Sequence, residues 1–393
     1  MSRKPAAGAA TPVPAAERRM LRGAIGISAV YALAYLAVWM TEFGGVNDFF
    51  VFWSAARWLT ENGYAPQIYD YEAFRAFQAG LTDQAGAGYR PFAYPPSALI
   101  VFAPLGIFAL LPALAVFLGT SLVLYVAALA WGARKSRLAV LASPAVLMNA
   151  VIGQNGFLTA ALLVGGLRLM ARHPMVGGAL IGILTIKPQL GILVPFALIA
   201  ARQWAALLGA TVSALALFLV SLALGGSEIW LAWLDLLPGF AANTAGNIDT
   251  ASRLMISPAA ALATLGVEAR TAQLIQIPIT LVVIGVIWRV CRRHGLTSMT
   301  VAAVCAGTLL ATPFAYFYDL TIAATATVLL AEEALRRGMR GGEAFILLLA
   351  WAMPVIAVSR LSISLVAPVA LALLFAAIVR RIHAAGDGTG SGG

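Results

Sequence analysis

One aspartate stands where a long apolar segment gives way to an aromatic one. Asp48 follows the apolar residues 21–40 by a short link and is followed directly by Phe49 and Phe50. A carboxylate at such a boundary meets apolar surroundings on one side and water on the other, which suits a general base that accepts a proton from a hydroxyl group. Aspartate is also a favoured N-cap residue, so the side chain also suits the start of a helix at residue 49. The two roles do not exclude each other.

A single lysine lies within the apolar residues 181–194. Lys187 precedes Pro188, whose ring favours a break in the helix, and Gln189 adds an amide beside it. Because an ionisable side chain is costly at membrane depth, its presence there indicates a functional site. An ammonium group in a helix break suits a phosphate anion, and we expect Lys187 and Gln189 to bind substrate. The alternative for Lys187 is a side chain that extends to the membrane surface and keeps its charge in water.

Two polar groups interrupt the apolar segments earlier in the chain. Gln154 and Asn155 separate two apolar stretches, and their amides suit sugar hydroxyl groups, although a simple turn also explains them. Arg90 suits a phosphate, and Tyr94 offers a ring that can stack on a sugar. The two prolines after Tyr94 also have a plainer role, because they fix the direction in which the chain enters the next helix.

A third polar group follows Pro313 late in the chain. Tyr316, Tyr318 and Asp319 together suit the lining of a cavity, although tyrosine is common at membrane surfaces for other reasons. No group of His, Cys and Asp residues has the spacing of metal ligands, and the sequence contains no glycine-rich phosphate loop. We therefore expect neither a metal ion nor a cofactor.

The composition indicates which elements must position these residues. Of the 393 residues, 61% are hydrophobic and 11% are charged, whereas a soluble domain carries about a quarter charged residues. The solvent for most of the chain is therefore lipid, and long apolar runs favour helices as the spanning elements. The net charge of +10 resides in basic residues between these runs, as the positive-inside rule predicts. We expect membrane lipids as partners and no nucleic acid.

The apolar runs predict an all-α polytopic membrane protein with about 12 transmembrane helices and both termini in the cytoplasm. Residues 1–19 are expected to form a disordered cytoplasmic N-terminus, and residues 384–393 a flexible tail. The first span covers residues 21–40. A first outer loop over residues 41–112 is expected to contain one or two helices on the membrane surface, at 49–60 and 71–78, and a partly inserted interfacial helix at 97–110.

The middle of the chain allows two topologies. The favoured one has the next span at residues 113–131, and the rival one lets residues 97–110 cross as well, which would invert the following three loops. Short helices follow at residues 138–152, 156–171, 175–186 and 189–200. Because they are too short to cross about 30 Å of hydrocarbon, they predict a cavity open to the outside or a thinned membrane.

The remaining residues predict a simpler succession of helices. A span at residues 205–224 is followed by a second polar outer loop at residues 225–257. Further spans complete the chain near residues 268–289, 297–312, 319–334, 343–358 and 362–379.

The order of the polar motifs resembles glycosyltransferase family 87, the DUF2029 group. These motifs are Asp48 after the first span, Tyr94-Pro95-Pro96 at the end of the aromatic loop, Gly153-Gln154-Asn155 and Lys187-Pro188. The family belongs to the GT-C superfamily and includes mannosyltransferases that use polyprenyl-phosphate sugar donors. The resemblance implies a GT-C fold, with a catalytic membrane module over residues 20–260 and C-terminal transmembrane helices over residues 261–383.

The resemblance also implies a reaction. A sugar, mannose or arabinofuranose, would pass from a polyprenyl-phosphate donor to a lipid or glycan acceptor on the periplasmic side of a bacterial inner membrane. The reaction would be metal-independent and inverting, with Asp48 as the general base. The family often carries a histidine in the late outer segment, where this sequence has Tyr316, Tyr318 and Asp319.

A different class of protein also fits the residues. A transporter or flippase of a lipid-linked or small polar substrate would use the same cavity and the same buried lysine. The lack of a convincing internal repeat and the large acidic and aromatic first loop argue against it.

Overall fold

A computed structural model describes residues 30, 48–81, 89–129, 134–246, 252–356 and 362–387. Apart from Val30, the predicted first span lies outside the described residues, as do the N-terminal segment and most of the expected tail. The described residues form helices and contain no β-strand, which confirms the all-α prediction.

Sixteen α-helices are described, and a run of short 3-10 turns connects some of them. In chain order they are α1 Phe49–Asn62, α2 Tyr71–Gly80, α3 Pro96–Phe102, α4 Leu110–Leu129, α5 Arg134–Leu141, α6 Pro144–Ile152, α7 Gly156–Leu169, α8 Pro174–Ile183, α9 Val194–Ala200, α10 Trp204–Gly246, α11 Pro258–Thr264, α12 Ala269–His294, α13 Ser298–Ala311, α14 Leu320–Arg337, α15 Glu343–Ile356 and α16 Ile363–Asp387.

Four of the described helices are long and apolar enough to cross a membrane, by length and composition. They lie at Leu110–Leu129, Trp204–Phe240, Ala269–His294 and Ile363–Ala384. Large apolar side chains such as Leu208 and Leu215 on α10 are exposed, as a lipid-facing surface requires. The chain is therefore a membrane protein, and the count of about twelve spans stays a prediction.

Proline positions explain where the predicted short helices divide. The helix expected over residues 138–152 is two helices, because Pro144 occupies the first turn of α6 and cannot continue α5. Lys187-Pro188 likewise separates two 3-10 turns, Leu184–Ile186 and Pro188–Gly191, between α8 and α9. In contrast, Pro112 lies in the first turn of α4, where proline is tolerated, so this span begins before residue 113.

The second outer loop expected at residues 225–257 is mostly helical. Helix α10 continues through Gly246 and is interrupted only at Gly226, whose φ of 67° and ψ of −175° break the helix at a residue that tolerates this conformation. Trp230, Trp233, Asn243, Asn247, Asp249 and Arg253 suggested a polar loop here, although the apolar residues among them allow a helix through much of the stretch. One further helix, α11, was not predicted; Ser257 caps it by accepting a hydrogen bond from the Ala260 N–H.

Candidate active site

A cavity of about 520 Å³ lies between the start of α1, the loop that precedes α3, the α6–α7 turn, the Lys187-Pro188 break, the second half of α10 and residues 314–318. Most of the residues expected to bind substrate line it. They are Asp48, Arg90, Tyr94, Gln154, Lys187, Gln189, Tyr316 and Tyr318. These eight residues come from five separate parts of the chain and meet around one space.

A backbone hydrogen bond holds Asp48 at the mouth of this cavity. Its N–H donates to the Ile152 carbonyl at 3.0 Å, which ties the start of α1 to the end of α6. Asp48 Oδ2 accepts from Gln154 Nε2 at 3.2 Å, and Oδ1 lies 3.5 Å from Arg90 Nε. The side chain makes no capping hydrogen bond to α1. Its carboxylate is therefore available to the cavity, and the capping role considered for it is not the one it performs.

Lys187 lies inside the protein and does not extend to the membrane surface. Its side chain is 3% exposed, and Nζ contacts Asp319 Oδ1 at 2.6 Å. The same ammonium lies 4.7 Å from the centroid of the Tyr318 ring, which places the positive charge over an aromatic face. The helix break brings the lysine to the cavity, because the 3-10 turns on either side redirect the chain at that point.

Two of the expected substrate-binding residues lie behind the cavity surface. Asn155 is fully buried and donates from Nδ2 to the Tyr94 hydroxyl at 3.0 Å. Asp319 is fully buried and contacts Lys187, while its Oδ2 accepts from the Tyr316 N–H at 3.0 Å. Both side chains therefore contact other site residues, and neither lines the space in which a substrate would lie.

The loop of residues 89–95 is held by side chains that sequence reasoning missed. Gln78 accepts from the Arg90 N–H at 3.0 Å and donates to the Arg90 carbonyl at 2.9 Å. Trp233 Nε1 donates to the Ala93 carbonyl at 3.1 Å, and the Tyr69 hydroxyl donates to the Tyr94 carbonyl at 2.9 Å. Gln78 lies four residues after Phe74 on the buried face of α2, and this spacing was the signal available for it.

The backbone at the start of α7 packs closely against residues 318–321, next to the site residues Tyr318 and Asp319. A Cβ atom at Gly156 would lie 2.4 Å from the Tyr318 carbonyl oxygen, so only glycine fits there. Thr321 Oγ1 donates to the Gly156 carbonyl at 3.0 Å across the same contact. This packing brings Gln154 and Tyr318 to one cavity although they are distant in sequence.

The two loop tyrosines are neutral hydrogen-bonding groups at physiological pH. Burial, followed by the nearby Asp319 charge, raises the pKa of Tyr94 well above its ordinary value. Burial, followed by the neighbouring Tyr71 and Asp70, raises the pKa of Tyr89 to about 12. Among the described residues, no three His, Cys, Asp or Glu side chains are grouped so that they can hold a metal ion.

Comparison with known proteins assigns the chain that forms this cavity to a family. The family described as Glycosyltransferase family 87 matches residues 92–315, which is more than half of the chain and includes Tyr94, Gln154, Asn155, Lys187 and Gln189. No curated protein and no solved structure matches. The family match favours an enzyme over the transporter or flippase alternative. The chain therefore belongs to glycosyltransferase family 87, and it is a membrane glycosyltransferase.

Proposed function

We propose that the protein transfers a sugar, mannose or arabinofuranose, from a polyprenyl-phosphate donor to a lipid or glycan acceptor on the periplasmic side of the inner membrane. The observation that carries the proposal is the shared cavity, in which one available carboxylate, Asp48, accompanies two cationic side chains, Arg90 and Lys187. A base and cations are what a displacement at a phosphate-linked sugar needs.

The proposed step is a single displacement at the anomeric carbon. The acceptor hydroxyl oxygen forms a bond to this carbon while the bond from the carbon to the phosphate oxygen breaks. Asp48 accepts the hydroxyl proton, and the polyprenyl phosphate leaves with the bonding electron pair. Attack from the side opposite the phosphate inverts the configuration of the sugar.

Arg90 and Lys187 act on the leaving group in this scheme. Negative charge grows on the phosphate oxygens as the sugar departs, and fixed positive charges stabilise this state more than the ground state. Phosphate is a good leaving group, so the scheme needs neither a separate general acid nor a metal ion. Gln154 has a double role, since its amide donates to Asp48 and borders the space for the acceptor.

The remaining cavity side chains are suited to hold the sugar. Tyr94, Gln189 and Tyr316 line the cavity and offer hydroxyl, amide and ring surfaces. The rings of Tyr316 and Tyr318 are nearly parallel, with an interplanar angle of 9° and centroids 5.5 Å apart. Aromatic rings in a cavity lining suit the apolar face of a sugar ring.

The distribution of basic residues supports a periplasmic cavity. Helices α7 and α14 both begin beside the cavity, at Gly156 and Leu320, and both end in basic segments. The ends carry Arg168 and Arg172 in one case and Arg336 and Arg337 in the other. Because basic residues are retained in the cytoplasm, the opposite ends, and with them the cavity, face the periplasm in this proposal.

The proposal is tested by sugar transfer in proteoliposomes. Radiolabelled polyprenyl-phosphate sugars are supplied with acceptor lipid extracts, and covalent product is separated by chromatography. We expect product from the unsubstituted protein and a loss of about a hundredfold or more with Asp48→Asn, since a general base contributes about 10²–10⁴-fold.

The matched control is Asp70→Asn, because Asp70 is an exposed cap of α2. It is expected to keep full transfer activity. Movement of the label across the membrane without a covalent product would overturn the proposed reaction, and full activity of a correctly inserted Asp48→Asn protein would overturn the role of the base.

A further inference from the structure

Both carboxylate oxygens of Asp319 accept hydrogen bonds from groups inside the protein. Oδ1 accepts from Lys187 Nζ at 2.6 Å, and Oδ2 accepts from the Tyr316 N–H at 3.0 Å. The side chain is fully buried and does not line the cavity. Asp319 therefore reaches a substrate only through the residues that it holds.

Lys187 has donors beyond those that Asp319 uses. An ammonium group carries three N–H donors, and one of them is directed to Asp319. The Tyr318 ring contributes its face at 4.7 Å and takes no conventional hydrogen bond from the ammonium. Since Lys187 itself lines the cavity, its remaining N–H groups are positioned for an anion in that space.

The charge state of Lys187 depends on its surroundings. Burial of an ammonium with no counter-charge favours the neutral amine, whereas a carboxylate in contact favours the charged form. The titratable and charged groups that face Lys187 directly are Tyr318 and Asp319, and those that share the cavity with it are Asp48, Tyr89, Arg90, Tyr94 and Tyr316. Of these, Asp319 is the carboxylate in direct contact.

We propose that Asp319 is a positioning residue that keeps the Lys187 side chain protonated and directs it at the phosphate of a lipid-linked phosphodiester. The inference rests on the proposed function, which supplies that phosphodiester. Asp319 then has no contact with the sugar, and its effect on the phosphate passes through Lys187.

The test measures binding of dodecyl methyl phosphate, a phosphodiester that carries one negative charge throughout the range studied. Purified protein is titrated with this probe at pH 6, 7 and 8. We expect the affinity of the unsubstituted protein to stay constant over this range. With Asp319→Asn the lysine loses its proton as the pH rises, so the affinity falls by up to about tenfold per pH unit toward pH 8 and recovers at pH 6.

A substitution of Lys187 shows whether the pH dependence of probe affinity arises from this lysine. In the double variant Lys187→Met with Asp319→Asn, the affinity is expected to be low and independent of pH, because no titrating lysine remains. The control Asp70→Asn is expected to match the unsubstituted protein. A role of Asp319 confined to folding would lower the yield of protein without creating a pH dependence that Lys187→Met removes.

Two results would overturn the inference: constant affinity in the folded Asp319→Asn protein, or a pH dependence that survives Lys187→Met. If Asp319→Asn does not fold, Asp319→Glu decides: it keeps the charge but its longer side chain displaces the ammonium, so a lower affinity that is independent of pH is expected, and an unchanged affinity would overturn the inference. Probe binding does not depend on sugar transfer. A protein without transferase activity would refute the proposed function, whereas the inference would still be decided by probe binding alone.

Discussion

Arg90 and Asp48 approach within 3.5 Å at the mouth of the cavity, whereas Lys187 and Asp319 meet at 2.6 Å behind its surface. The two ion pairs differ in their exposure to water: the Asp48 side chain is 40% exposed, and the Asp319 side chain is fully buried. A pair open to water contributes about 0–1 kcal/mol, and breaking a buried one costs about 3–5 kcal/mol. An incoming phosphate can therefore draw Arg90 from Asp48 at little cost, while the Lys187–Asp319 pair stays intact.

Removal of the lysine is expected to affect the donor more than the acceptor. For Lys187→Ala we expect the KM for the polyprenyl-phosphate donor to rise by about tenfold to a hundredfold, as loss of a hydrogen bond to a charged group predicts. The KM for the acceptor should change little. Steady-state kinetics in proteoliposomes provides the measurement.

The lysine prediction has a control on the same side of the protein. Arg75 lies on the exposed surface of α2, so Arg75→Ala removes a positive charge without touching the cavity. It should leave both KM values unchanged. An unaltered donor KM in a folded Lys187→Ala protein would show that Lys187 does not bind the phosphate.

At the scale of elements, the loop of residues 89–95 depends on α2 for its shape. Gln78 bonds both the N–H and the carbonyl of Arg90 and also donates to Ser54 Oγ on α1 at 2.9 Å. One amide therefore couples two helices to the loop that carries Arg90 and Tyr94. The loop is positioned from outside, because its own residues form no regular structure.

Loss of this amide should loosen the loop and weaken catalysis. We expect Gln78→Ala to lower kcat/KM by about tenfold, since it removes both hydrogen bonds to the partly buried Arg90 backbone, each worth about 0.5–1.5 kcal/mol. The control is Gln67→Ala, because Gln67 is exposed in the 3-10 turn before α2. Equal kcat/KM for the two variants would refute the positioning role of Gln78.

Local sequence patterns predicted individual helices but not the side-chain contacts that join distant helices and loops. The helices expected at residues 49–60 and 71–78 are present as Phe49–Asn62 and Tyr71–Gly80, because caps and apolar spacing act over one or two turns. The Lys187–Asp319 pair joins residues 132 positions apart, which no periodicity encodes. Gln78 was missed for the same reason, since its partners define its role and a lone glutamine is usually a surface residue.

At the scale of the whole molecule, the site lies at one end of helices whose other ends are basic. The helices α7 and α14 show this orientation; α12 also ends in basic residues, and α16 carries Arg380 and Arg381 in its C-terminal half. The first span, which would fix the orientation independently, lies outside the described residues. Orientation is therefore best measured with labels placed at both ends of the molecule.

Labelling of introduced cysteines should resolve the two sides. The native Cys291 and Cys305 are both buried, so they should give little background with a membrane-impermeant maleimide. In intact cells we expect Gln67→Cys, which lies on the cavity side, to react from outside. Gly341→Cys follows the basic end of α14 and should react only after permeabilisation. Labelling of both positions from the same side would refute the proposed topology.

The two ion pairs at the cavity also matter between turnovers. Asp48 offsets Arg90, and Asp319 offsets Lys187, so these four side chains sum to zero formal charge. An unpaired charge next to hydrocarbon is energetically unfavourable. The Asp48 and Asp319 carboxylates avoid this by serving as counter-ions for Arg90 and Lys187. The cavity therefore needs no additional anion to remain stable in the bilayer between turnovers, because its two cations already have counter-ions in the protein.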